Sequence, residues 1–459
     1  KNYIPANTRG YAGRIGYDYK QKYLLEFNGA YNGTDAFSTG NTYGFFPAVS
    51  AGWNISEESF FKSFQPLKWI NNLKIRSSYG IVGSDDIGNA QTTYLHEYRE
   101  GGSASFGETH KAYTGILEGN LGNDDVTWEK ERKFNIGTDI SAFNSRLSIT
   151  ADYFDHLRYD IITARGTMSS MFGAAIPMVN MGEVKNRGYE LELSFRDKIG
   201  RNFGYFVNGN FAYVKNTVLN RDEPVLPNPW QQATGNSIGQ ILVYNWIGFY
   251  TADDIANENV AKPSADVVRP GDLKLEDYNK DGVIDDNDRG YFGLPNYPTT
   301  SYALTMGFNF RKFNVSAMFQ GAKDFYLRGV AGAIQAFSSN LQPLHRQSWT
   351  PELGDNAKYP VLSQKVTGVS APADFPSTFW FIPGDFIRLK NVEIGYQLPK
   401  NWFNLFRLQN ARIYATGYNL ITWSKLTKLY QFDPEASSGN DRVSYPPQRT
   451  YNLGVSLTF

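Results

Sequence analysis

Cysteine is missing from all 459 residues, which removes disulfide cross-links, thiolate metal centres and a cysteine nucleophile together. A charge surplus is missing too, with 45 Lys and Arg against 45 Asp and Glu. Nucleic acid is thereby excluded as the main partner, because neutralising phosphates needs a basic excess. No run of about 18 apolar residues occurs, so no transmembrane helix is encoded. Histidine is scarce, and His96, His110, His156 and His345 have no paired spacing from which a transition-metal site could be built. Nucleophile elbow, phosphate loop and zinc-binding helix are also lacking. The carboxylate doublets Glu57-Glu58, Asp85-Asp86 and Asp124-Asp125 point to opposite faces if they lie on strands, which makes them poor acid–base pairs. The chain is read as no enzyme.

The excess lies elsewhere. Thirty Tyr, 32 Phe and 9 Trp make the chain 15% aromatic, beside 43 Gly. Apolar residues recur with a period of two. Tyr11, Ile15, Tyr17 and Tyr19 alternate with Arg14 and Asp18, and Tyr23, Leu25, Phe27 and Tyr31 alternate with Glu26 and Asn28. The same pattern returns in Leu73/Ile75/Tyr79, Phe134/Ile136/Ile140, Leu147/Ile149/Tyr153, Tyr189/Leu191/Leu193/Phe195 and Phe203/Tyr205/Val207/Phe211. It continues through Tyr302/Leu304/Met306/Phe308, Phe313/Val315/Phe319 and Val392/Ile394/Tyr396 to Tyr451/Leu453/Val455/Leu457/Phe459. A soluble β-sandwich would also show one apolar and one polar face. Loop lengths separate the two. Short turns at 19–22, 143–146, 197–202 and 310–313 alternate with long irregular excursions at about 83–127, 164–184, 217–299, 328–384 and 421–447. Short turns at one end, long loops at the other and aromatics near strand ends predict an all-β, transmembrane antiparallel β-barrel.

Parity adds to this. About thirteen strands are expected, the first already running toward the short-turn side and the last ending there. Outer-membrane barrels have even counts and begin and end in the periplasm, so 1–459 is read as the C-terminal part of a larger barrel. Lys1-Asn2-Tyr3-Ile4 leads straight into a strand pattern, as in a processed chain or the later part of a longer one. Residues 217–299 and 328–384 become long extracellular loops.

Within the first of these loops, "DYNKDGVIDDNDR" has the spacing of a calcium-binding EF-hand loop. Asp277, Asn279, Asp281, Asp285 and Asp288 would supply side-chain oxygens, Val283 its carbonyl, and Gly282 the sharp turn. Asp288 is shorter than the usual bidentate Glu, and a solvated acidic turn is the plainer reading. Outside the cell even a weak site, with Kd of ~10⁻⁴–10⁻³ M, would fill with Ca²⁺. Trp230, Trp246, Trp349 and Trp380 fall in the long loops, where they could stack on sugars or form loop cores. Phe459 closes the last strand like an outer-membrane assembly signal.

Several blocks carry a family resemblance. "FFPAVSAGWNISEESFF" (45–61), "LKIRSSYGIVGSDDIGN" (73–89), "VNMGEVKNRGYELELSF" (179–195) and "GDLKLEDYNKDGVIDDNDR" (271–289) resemble SusC/RagA-like TonB-dependent transporters. So do "SWTPELGDNAKYP" (348–360), "DFIRLKNVEIGYQLP" (385–399), "YATGYNLITW" (414–423) and "PPQRTYNLGVSLTF" (446–459). The resemblance implies a plug domain followed by a barrel of about 22 strands, with the plug, the TonB box and the early strands outside this chain. It further implies import of oligosaccharides or peptides across a Gram-negative outer membrane, with a SusD-like lipoprotein, the TonB complex and outer-membrane lipids as partners. A calcium-dependent adhesin anchored by its barrel, and a soluble glycan-binding β-protein, are the alternatives.

Overall fold

The computed structural model describes residues 7–86, 93–173, 176–328, 334–337, 340–364, 367–399, 408–435 and 447–458. Thirteen strands form one antiparallel sheet in strict chain order. The first four are β1 (Thr8–Tyr19), β2 (Tyr23–Thr34), β3 (Tyr43–Asn54) and β4 (Ile70–Ser84). Next come β5 (Glu129–Ala142), β6 (Leu147–Ala164), β7 (Met178–Ile199) and β8 (Phe203–Asn220). The last five are β9 (Thr300–Phe310), β10 (Phe313–Lys323), β11 (Phe386–Gln397), β12 (Asn410–Ser424) and β13 (Thr450–Thr458). The expected number and direction of strands are met. Alternation locates eleven of them. The pattern is obscured in β3 by Pro47, which sits where the ladder to β4 stops, and in β12 by a register shift beside Asn419.

At the end where β1 finishes, the turns after β1, β5, β7 and β9 are short, whereas 55–69, between β3 and β4, carries short helical turns. The first, 20–21, holds two consecutive non-glycine residues in the left-handed region, Lys20 at φ 56 and Gln21 at φ 58, as a tight hairpin turn demands. Among the described residues β1 pairs only with β2 and β13 only with β12, and β1 is exposed along both faces.

Over most of the sheet, register gives each face one character. Tyr17 lies opposite Leu25, Ile15 opposite Phe27 and Tyr11 opposite Tyr31, so outward apolar residues form continuous rows. The other face is wet and ionic. Arg76 on β4 holds Asp139 on β5 at 3.2 Å and Asp152 on β6 at 2.6 Å, while Arg14 pairs with Glu26 and Arg412 with Glu393. The outward face leaves Ile15, Phe27, Phe45, Ile136, Leu191 and Leu453 exposed, which is stable in lipid and not in water.

The described parts of four of the five excursions are more ordered than expected. Residues 85–128 carry a hairpin, Tyr98–Phe106 against Lys111–Glu118. The described residues of 221–299 and 324–385 fold together with 425–435 into a cap over one end of the sheet. Its core includes Tyr250, Leu273, Ile284, Leu344, Ile382 and Leu426, all nearly or fully buried. Side chains of this kind each contribute about 1.5–3 kcal/mol when buried, so the cap is ordered by its own packing. The two large loops also share backbone bonds. Tyr244 N donates to Pro376 O at 2.9 Å, and Thr378 N to Tyr244 O at 2.9 Å.

Candidate functional site

The acidic loop sits in the cap on the path from β8 to β9. Asp277 folds over it, Oδ1 accepting from Asp281 N at 3.2 Å and Oδ2 from Gly282 N at 2.8 Å. Asn279 Oδ1 accepts from the same Asp281 N at 3.0 Å, and Asp281 Oδ1 accepts from Val283 N at 2.9 Å. Asn279 Nδ2 donates to Asp281 Oδ2 at 2.9 Å. Gly282 has φ 88 with open space around it, so backbone conformation and not crowding requires glycine there. Val283–Ile284 then pairs in parallel with Lys262–Pro263, which drives Ile284 into the cap core.

Asp288 closes the loop. Its side chain is fully buried, Oδ1 accepting from Tyr278 N at 2.8 Å and Asn279 N at 3.2 Å, and Oδ2 from Asp285 N at 2.9 Å. Burial pushes its carboxyl above the usual range, although the backbone donors oppose that shift. Asp285 caps the short turn Asp286–Asp288, Oδ1 accepting from Asn287 N at 2.8 Å. A second segment clamps this turn from outside. Trp230 Nε1 donates to Asn287 O at 3.0 Å and Gln231 Nε2 to Asp286 O at 2.6 Å.

Asp277, Asn279 and Asp281 are thus brought together, Asp288 is tied to the loop's beginning, and Asp285 is turned to its own helical turn. Many of these oxygens accept from the loop's own N–H groups. A carboxylate oxygen keeps a further lone pair after one such bond, so the donor chemistry remains that of a hard-cation loop. Among the described residues no group of three or more His, Cys, Asp or Glu is gathered as around a metal ion.

A second ionic centre lies at the mouth of the sheet. Arg388 on β11 is fully buried, with Nη2 at 2.6 Å from both carboxylate oxygens of Asp433. Its Nη1 lies 2.7 Å from Glu435 Oε2, which Lys390 also reaches at 3.1 Å. Sequence reasoning missed this centre. The only sign of it was a basic strand top, "FIRLK", with an acidic pair, "FDPE", in the final excursion.

The loop tryptophans divide toward packing. Trp380 is buried in the cap core, Trp246 meets Phe249 and Phe379 edge-on, and Trp349 lies against Gly271. Two of the histidines are engaged locally. His345 is buried between Ile334 O and Gln342 N, and His156 lies 3.3 Å from Glu131. Glu57 and Glu58 diverge as expected, toward Lys62 and Lys22, although they lie in a turn segment and not on a strand. Phe459 lies outside the described residues.

A thirteen-strand meander with an ionic interior and an apolar exterior narrows the possibilities to outer-membrane barrels. Residues 4–420 match the family model described as TonB dependent receptor-like, beta-barrel. The chain belongs to that family. Members of the TonB-dependent receptor family are outer-membrane transport proteins and not enzymes. TonB-dependent receptor SusC of Bacteroides thetaiotaomicron is 26% identical over 473 residues, covering 100% of this chain and 44% of that protein. TonB-dependent receptor P3 of Formosa agariphila is 26% identical over 491 residues, covering 97% of this chain and 45% of the relative. A structure of the RagAB peptide importer in its open-open state superposes with a TM-score of 0.77 at 20% identity, over 99% of this chain and 47% of the other. At that identity the likeness speaks for the fold alone. The chain spans a little under half the length of the curated relatives it matches. The barrel-anchored adhesin gains no support from these matches, and a soluble β-protein does not fit the outward apolar face.

Proposed function

We propose that this TonB-dependent receptor chain is the C-terminal barrel portion of a longer SusC/RagA-type importer that takes up oligosaccharides or peptides. The observation that carries the reading is the SusC likeness, which runs the full length of the chain. In this mechanism substrate is captured at the cap, beneath a SusD-like lipoprotein. The TonB complex then draws on a plug domain belonging to the rest of the polypeptide, and substrate passes to the periplasm. The chain's own residues would supply the ionic wall along which a polar solute moves, with Arg76, Asp139 and Asp152 held rigidly by one another. The rigid cap would present one constant surface to a lipoprotein.

Deleting the full-length gene tests this reading. Uptake of a labelled oligosaccharide or peptide pool by intact cells should fall to background and return on complementation. A surface lipoprotein should co-purify with the full-length protein in detergent. Unchanged uptake of both substrate pools together with absence of a lipoprotein would overturn it.

Calcium in the 277–288 loop belongs to the same proposal. Asp277, Asn279, Asp281, Asp285 and Asp288, with the carbonyl of Val283, would hold the ion. Bound there, Ca²⁺ would offset the repulsion among four carboxylates. Support comes from the oxygen-rich loop spacing and from Gly282, whose left-handed conformation makes the turn.

A further inference from the structure

On most of the outward face, the rows nearest the cap are apolar or aromatic; Ile387 of β11, for example, faces Trp423 of β12. On β5–β8 the corresponding rows are basic. Lys215 lies opposite Arg187, and Arg187 opposite Asp155. One row further up, Arg132 and Lys185 lie on either side of Leu157. Directly below, Tyr213, Tyr189 and Tyr153 form an aromatic row, the rings of Tyr189 and Tyr213 stacking at 5.2 Å. Strand alternation puts all of these side chains on the face that carries Leu191 and Ile136.

Height can be read from the strand itself. From Arg187 down to Asp197, β7 runs roughly 33 Å at ~3.3 Å per residue, and a tilt of about 40° reduces this to about 25 Å. That matches the apolar band of an outer-membrane barrel. Arg187 therefore stands at the outer headgroup level, with the tyrosines at the interface and Leu191 and Leu193 in hydrocarbon.

We infer that the outward face of β5–β8 is a binding site for a phosphate-bearing lipid of the outer leaflet. The Arg187 side chain is 56% exposed, and Arg132 and Lys215 are exposed as well. Asp155 orients Arg187 at 2.7 Å and Lys185 at 3.3 Å, and Asp160 holds Lys130 at 3.0 Å, so part of the basic charge is already offset. Arg132 and Lys215 make no ion pair among the described residues and supply the free charge. Guanidinium forks and lysine ammoniums together suit a phosphomonoester or diester. The aromatic row below offers the first methylenes of the acyl chains an apolar surface. A free phosphate ion would meet the same cations without gaining the tyrosines.

The test uses the full-length protein in a phosphate-free detergent, titrated with lipid A in mixed micelles. Phosphatidylcholine serves as the zwitterionic comparison and inorganic phosphate as the free anion. Each basic residue near an anionic headgroup is worth about fivefold in affinity, so Arg132→Gln with Lys215→Gln should weaken lipid A binding about 25-fold. Lys133→Gln, on the opposite face, should leave it unchanged, and neither phosphatidylcholine nor millimolar phosphate should displace the lipid. Heat-modifiable gel mobility verifies that each variant is folded. Arg187→Lys, which keeps the charge and loses the fork, gives a second reading should the double variant fold poorly; it is expected to weaken binding severalfold. Equal affinity in the folded variants would overturn the inference. So would displacement of lipid A by inorganic phosphate alone, which would make this a free-anion site.

Discussion

Arg388 and Asp433 are joined by two hydrogen bonds from a single guanidinium nitrogen, each 2.6 Å, although 45 residues separate them in the chain. The arginine is fully buried on β11, and the aspartate belongs to the final excursion. This contact fastens the excursion to the mouth of the barrel. Removing the cation strands Asp433 in a poorly hydrated place and leaves Glu435 to Lys390 alone among cations; breaking a buried pair in this way typically costs about 3–5 kcal/mol. Arg388→Ala should therefore free 425–435 to protease while the transmembrane ladder stays intact. Arg388→Lys should be milder, because charge survives and only the fork is lost. Limited proteolysis followed by mass spectrometry reads both.

Leu191 lies near the middle of the apolar band, 42% exposed on the face opposite Glu192. Arginine at a lipid-facing midplane position costs about 2–4 kcal/mol. Leu191→Arg should lower folded yield and the urea midpoint, whereas Glu192→Arg, one residue away on the interior face, should be tolerated better. Equal effects of the two would contradict the assignment of faces.

Gly137 stands between Arg76 and Asp152, in register with both. A β-carbon there would come 2.4 Å from Asp152 Oδ1 and 2.9 Å from the Arg76 guanidinium carbon. Gly137→Ala should break the three-strand ion network and lower thermal stability. Gly13→Ala meets open space and should be neutral in the same melting experiment.

Glu58 is held by the Tyr23 hydroxyl at 2.7 Å, Lys22 Nζ at 3.0 Å and Trp53 Nε1 at 3.2 Å. These donors lower its pKa to about 2, the Tyr23 bond first and the Lys22 bond second. A depressed folded pKa stabilises above the unfolded value of about 4.3. The contribution disappears as pH falls from there to about 2. The native protein should lose stability through that window, and Glu58→Gln should flatten the curve. Thermal melts from pH 6 downward check the sign.

Calcium makes an opposite pair of expectations for the 277–288 loop. Without the ion, Asp288 is harder to ionise than usual because it is buried. A raised folded pKa means that the loop gains stability as pH falls through it. With calcium bound, acid protonates the ligands and releases the ion, so order is lost instead. Asp277→Ala with Asp281→Ala should make 221–299 protease-sensitive and indifferent to chelator. Identical cleavage of native and variant protein with and without chelator would identify the loop as a solvated acidic turn.

Period-two alternation was enough to find eleven of the thirteen strands and their faces, because each strand borders lipid on one side and water on the other. One side chain suffices to register that choice, and the signal is therefore local. Spacing likewise sufficed to nominate Asp277 through Asp288, since the loop's candidate ligands all lie within twelve positions. The cap was not legible. Tyr244, Leu273, Ile334 and Leu426 come from three excursions and show no common period, because loops pack by shape and not by repeat. The pairing of Arg388 with Asp433 and the height of the Arg187 row were equally hidden. The first depends on two distant segments meeting at one rim, and the second on which residues of four neighbouring strands the ladder sets side by side. Contacts between segments far apart in the chain leave no periodic trace in it, so only the tertiary structure could decide them.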